Sequence, residues 1–160
     1  MVEPLAVLER QTLDAGGIVL RFGQLYGPGT AFASDGSWAR NLRRRRLPIV
    51  GSGTGIFSFV HVDDAAGATV AALDHRGPAI YNVVDDEPAA IHEWVPVYAQ
   101  AVGAPAPLRV PAWLGRLAAG KIAVEMMNEL RGASNARIKR EWGWTPIYPS
   151  WRDGFSAALG

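Results

Sequence analysis

The stretch GGIVLRFGQLYGPGT, residues 16–30, decides how the rest of the chain is read. Ile18, Val19 and Leu20 form an apolar run too short for a helix, with a glycine pair before it and Gly23 after it. They predict a strand buried on both faces. Gly23–Gly29 then carries Gly27 and Pro28 around Gln24 and Tyr26, which suits a backbone passing close to a bound molecule beyond the carboxyl end of a strand. From this stretch alone, an ordinary strand-to-loop exit reads equally well.

Working outward, Pro4 suits the first turn of a helix, and Leu5, Leu8, Thr12 and Leu13 repeat at helical spacing until Gly16 and Gly17 stop it. Beyond the glycine loop, Ser37 is placed to cap a short helix through Trp38, Leu42 and the arginines 43–46, ending before Pro48. Cations favour a helix C-terminus, so the arginine run reads as a solvated last turn rather than a nucleic-acid contact, for which no interleaved aromatics or second basic patch exist. Leu47–Val50 reads as extended, and Gly51, Gly53 and Gly55 as a turn leading to a β-rich run, Ile56–Val62. A dinucleotide fingerprint would need a third glycine three positions after the second and then a helix.

Asp63 or Asp64 is predicted to cap the small-residue helix that follows, and Gly77–Pro78 to end it. Ala79–Val84 is then a second candidate parallel strand, reached through a helical crossover. A loop at Asp85–Pro88, a helix from about Ala90 to Val102, an extended connector at Leu108–Val110 and a helix Trp113–Leu130 with a possible break at Gly120 complete the middle. Ser134–Pro146 reads as a capped short helix and a turn, with a last helix starting near Pro149.

Composition narrows the function. A chain of 160 residues is about one domain, with 49% hydrophobic and 19% charged residues. No apolar run is long enough to span a membrane, and Glu3 and Glu9 spoil a secretory leader, so a cytoplasmic setting is expected. Cysteine is absent, which excludes thiolate chemistry and cysteine-bound metal, and no metal site is expected. The net charge of +1 points to no acidic partner.

Several stretches, in order, resemble one family. Leu20 and Arg21 followed by Tyr26–Gly29 match its LR strand and YGPG; Leu47–Gly53 and Phe59–Asp64 match LPxxGxG and FVHVDD; Gly77, Tyr81 and Asn82 match GxxYN. Glu141–Pro146 and Trp151–Gly154 match its closing LGWxP helix end and WxxG turn. In these the chain is similar to the C-terminal half of the extended short-chain dehydrogenase/reductases, the NAD-dependent epimerase/dehydratases. The resemblance implies an α/β fold: the edge of a Rossmann-type parallel sheet plus a mostly helical substrate lobe, with residues 1–160 as the C-terminal portion and the cofactor-binding half missing.

By the same resemblance, Phe22 and Gly23 would lie beside the nicotinamide of NAD or NADP, Gln24 would hydrogen-bond a small-molecule substrate, and Tyr26 would stand near that pocket. For Gln24 the alternative is a loop residue bonding its own backbone. Arg21 reads as a buried structural arginine, and His61 as a packed or capping histidine rather than a base. Phe57 and Ser58 stand where many nucleotide-sugar enzymes of the family carry Arg-Asp, and phenylalanine makes no phosphate contact, which points to a smaller or more apolar substrate. Arg131 falls roughly where relatives have a second phosphate-binding arginine, although its surroundings, RGASN, equally fit a surface residue.

The family's glycine fingerprint, catalytic Ser or Thr, and Tyr-x-x-x-Lys pair find no match. The lysines are Lys121 and Lys139, and neither stands four residues after Tyr26, Tyr81, Tyr98 or Tyr148. The tyrosine of such a pair moves the substrate's hydroxyl proton and the lysine lowers its pKa. No catalytic residue, no turnover and no cofactor binding are therefore expected of this chain alone. Two functions stay open: part of an NAD(P)-dependent epimerase, dehydratase or reductase that can form homo-oligomers, or a non-catalytic binding domain derived from one.

Overall fold

The computed structural model describes residues 2–159. Helix α1 (Val2–Asp14) leads into strand β1 (Ile18–Phe22), and Arg21 ties the two by a forked pair of bonds to the Glu9 carboxylate, its Nε 2.7 Å from Oε1. Arg21 is thus structural but exposed, not buried as the sequence suggested. Strand β2 (Gln24–Tyr26) follows after the single residue Gly23. It lies within what the sequence presents as loop, because a three-residue strand between glycines leaves no periodic signal.

Helix α2 (Ser37–Arg43) starts from Gly36 with no side-chain cap, so Ser37 is not the cap the sequence predicted. It also ends at Arg43, the first of the four arginines, rather than running through them. Arg43 folds back to donate to the Val102 carbonyl, at 3.0 and 2.6 Å, satisfying an orphan acceptor at the end of the fourth helix, while Arg44, Arg45 and Arg46 stay exposed. Strands β3 (Ile49–Val50) and β4 (Ile56–Phe57) flank the glycine turn. In β5 (Phe59–His61) and helix α3 (Val62–Ala72), the cap is His61, whose Nδ1 accepts from the Asp63 N–H at 3.2 Å. With that donor satisfied, Asp64 does not cap; its two oxygens accept from the N–H groups of Ile147 and Tyr148, at 2.6 and 3.1 Å, and hold the closing segment.

Strand β6 (Ala79–Val83) runs parallel to β1, Ile18 opposite Ala79 and Phe22 opposite Val83, as expected. A short β7 (Ala89–Ala90) precedes α4 (Ile91–Ala101), and β8 (Arg109–Val110) pairs with β3. The long α5 (Ala112–Glu129) breaks at Gly120, whose φ of 82° is left-handed. Two short helices, α6 (Ala136–Trp142) and α7 (Trp151–Leu159), close the chain. Trp151–Gly154 lies in α7 and is not a turn, because Trp151 is anchored in the core and the helix continues past Gly154.

Two apolar clusters result. One packs Val60, Ala68, Tyr81, Val83 and Ile138 between the β1–β6 pair and helices α3 and α6. The other gathers Tyr26, Phe59, Trp94, Tyr98, Trp151 and Phe155 in the helical lobe. This is the α/β arrangement expected from the sequence, with one correction. Ile18, Val19 and Leu20 are half-buried rather than buried on both faces, because β6 is the only strand paired with β1 among the described residues.

Candidate functional site

The site is built where the chain changes partners. Gly23 donates its N–H to Val83 on β6, 3.1 Å away, and the next residue, Gln24, donates to the Ser58 carbonyl at 2.8 Å. A Cβ on Gly23 would stand 2.6 Å from that carbonyl oxygen, so only glycine lets the chain cross from β6 to β5 here. The handover occurs at the carboxyl ends of β1 and β6, the place where parallel sheets receive ligands.

A cleft of about 420 Å³ opens at this point, lined by Gly23, Gln24, Leu25, Gly29, Thr30 and Phe32. Gln24 is half-buried, and its amide makes no hydrogen bond among the described residues, so it is not spent on its own backbone. Thr30 closes the turn by donating from Oγ1 to the Gly27 carbonyl at 2.8 Å. Phe22, at the end of β1, is 41% exposed.

Tyr26 lies behind this cleft, wholly buried against Phe155 and His61, with ring centroids at 5.2 and 5.1 Å. Its hydroxyl rests where a Cβ on Gly154 would collide, so α7 clamps it. Burial, with the carboxylates of Asp85 and Asp64 adding to it, pushes the phenol far above its ordinary value and keeps it protonated.

Phe57 and Arg131 do not join the Gln24 cleft. Phe57 is buried and lines a separate cavity of about 190 Å³ with Trp38, Ile49, Ile91, Trp94 and Met127. Arg131 is exposed on the segment that Ser58 holds, Oγ accepting from the Ala133 N–H at 2.9 Å. The structure thus brings Gly23 and Gln24 together, places Phe22 beside them on the chain and Tyr26 behind, and sets Phe57 and Arg131 apart. Sequence reading missed Thr30, Trp38 and Trp94. For Trp94 the spacing Ile91, Trp94, Val95, Tyr98 signals only a buried helix face. Among the described residues no cluster of acidic groups and histidines has metal-binding geometry, and no helix is long and apolar enough to cross a membrane.

A model of the NAD dependent epimerase/dehydratase family matches residues 2–83, half of the chain. A 3-diazoavenalumate denitrifying reductase of Streptomyces sp is 44% identical over 155 residues, covering 96% of this chain and 51% of that protein. A functionally unknown conserved protein from Silicibacter pomeroyi matches at 29% identity with a TM-score of 0.67, over 89% of this chain and 47% of its own. A dTDP-glucose 4,6-dehydratase from Streptomyces venezuelae, solved with NAD, superposes with a TM-score of 0.69 at 20% identity, over 96% and 46% of the two chains, which shows the shared fold. The chain spans about half the length of the curated relative and of the solved structures it matches.

Proposed function

Because the chain belongs to the NAD-dependent epimerase/dehydratase family, we propose that it is the substrate-binding, C-terminal part of an NAD(P)-dependent reductase-like member of it. The reading is carried by Gln24, an unspent amide at the carboxyl ends of two parallel strands, one residue past a glycine that cannot be replaced without a clash. The similarity to a denitrifying reductase favours reduction over epimerisation.

NAD or NADP, when bound, supplies the hydride. Phe22 and Gly23 fit only its nicotinamide end: the half-exposed ring offers an apolar face, and the bare backbone allows close approach. Gln24 orients the polar group of the substrate, and Tyr26 fixes the floor from behind. Phe57, in the separate cavity, stands where a phosphate contact would need a cation, so the substrate is smaller or more apolar than a nucleotide sugar. Arg131 is exposed and apart from the Gln24 cleft. The proton-transfer pair and the phosphate-binding glycines are not among these residues, so the chain alone turns nothing over. Its setting is cytoplasmic, and self-association is expected.

The test has two arms. Calorimetry on the isolated chain should give no measurable NAD(H) binding, and micromolar affinity would overturn the reading. Joined to the cofactor-binding half of a related reductase, the chain should support NAD(P)H oxidation. Gln24→Ala should then lower kcat/KM about 10- to 100-fold, the worth of one buried hydrogen bond to a polar substrate group, while Arg45→Ala changes it less than about twofold. Equal losses in both variants would count against Gln24.

A further inference from the structure

We propose that the 190 Å³ cavity in the helical lobe is a binding site for a single uncharged aromatic ring. The assignment deepens the proposed function, and rests on it only for the ring's belonging to the substrate; the binding itself requires no cofactor half.

Three observations carry it. The first is separation: Phe32 lines the Gln24 cleft and stacks on Trp38, which lines the cavity, at a centroid distance of 4.7 Å and 19° between planes. This ring pair stands between the two spaces. The second is size. An apolar cavity of about 150 Å³ stays dry and accepts benzene, whereas sites for larger ligands run from about 300 Å³ upwards. The space at hand therefore suits one ring with small substituents and excludes a nucleotide sugar.

The third is the wall. Trp94 meets Phe57 at 5.3 Å and Trp38 at 5.5 Å, tilted 31° and 54°, which leaves ring faces and edges for a further aromatic. Met126 and Met127 complete it with thioethers, which adapt to ring edges. Met126 is 46% exposed and Trp38 half-buried, so the cavity opens to solvent between α2 and α5. No charged side chain lines it, and an ionised ligand would lose its hydration without a partner.

Methionine occurs three times, as Met1, Met126 and Met127, which makes methyl NMR of the full chain a direct reporter with its own control. Indole should shift the Met126 and Met127 methyl signals with a Kd on the order of 0.1–1 mM and leave Met1 unmoved. Benzoate should move none of them. Met126→Trp, at an exposed position that tolerates the larger ring, should fill the mouth and weaken indole binding at least about tenfold, with an unchanged circular dichroism spectrum. Unmoved Met126 and Met127 signals, equal shifts with benzoate, or full affinity in the Met126→Trp variant would overturn the site. An inactive joined protein whose methyls still respond to indole would sink the reductase reading and leave this site standing.

Discussion

Asp85 is the residue whose chemistry is most at odds with its surroundings. It is 2% exposed, its Oδ1 accepts from the Glu87 N–H at 3.3 Å, and Oδ2 has no partner. Burial pushes its pKa up to about 7, backbone donors at Glu87 and Trp151 offsetting only part of that. Because the folded value lies above the unfolded one, the stability it permits is complete below about pH 4 and is lost as pH rises through 7, a range worth on the order of 2–4 kcal/mol. Its neighbours Asp86 and Glu87 shift the other way: partial burial is outweighed by Asn135 and Lys139 for one and by Ser150 and Arg152 for the other, so their contribution to stability grows rather than falls as pH rises. Asp85→Asn should therefore flatten the dependence. Urea midpoints should fall between pH 5 and pH 8 in the parent chain and stay level in the variant; parallel declines would show that another group titrates. Asp85 was legible in principle, since Ala79, Tyr81 and Val83 alternate inward and the same period of two brings residue 85 inward. Tyr26 was legible only as a family position, because its burial depends on Gly154, more than a hundred residues away.

Among the elements, α5 is interrupted within its own length. After the break at Gly120 its second half is fastened to the glycine turn by the Asn128 side chain, beside a backbone bond from the Gly55 N–H to the Met127 carbonyl at 2.9 Å. The Oδ1 of Asn128 accepts from the N–H groups of Ser52 and Gly53 at 3.0 and 3.2 Å, and its Nδ2 donates to the carbonyls of Val50 and Val124 at 3.2 and 2.7 Å. This locks the helix onto the glycine turn and sets Met126 and Met127 against the cavity. Asn128→Ala should cost about 1–3 kcal/mol locally, since several donors and acceptors lose their partner together. Hydrogen exchange should quicken at residues 51–54 and 121–129 and stay unchanged in β6; a uniform change along the chain would mean that Asn128 supports global rather than local stability. The glycine turn and the break at Gly120 could be read from sequence because glycine marks them. The pairing of β4 with β7, antiparallel and joined by two residues each, could not, because partner choice between such short strands is settled by the packing of Phe57, Ala89 and Ala90 in the core.

On the scale of the whole molecule, the apolar surface is unevenly spent. Trp94, Trp151, Tyr26 and Phe155 are fully buried in the helical lobe, whereas Leu5 and Leu8 on α1 are 62% and 59% exposed, with Val7 and Phe22 exposed nearby in the chain. Beside them β1 has β6 on one side and, among the described residues, no strand on the other. An open parallel edge flanked by an uncovered apolar helix is the arrangement that templates association. With a net stability of about 5–15 kcal/mol for a domain of ordinary size, the lobe can hold its fold while the edge seeks a partner. The chain should therefore self-associate through α1 and β1. Sedimentation velocity should show a mass that rises with concentration, and the double variant Leu5→Lys with Leu8→Lys should return it to the monomer without loss of helical signal. A parent chain that stays monomeric at high concentration, with slow amide exchange at Val19 and Leu20, would mean that the β1–β6 pair is sufficient by itself, and would favour a self-standing binding domain over one half of a reductase.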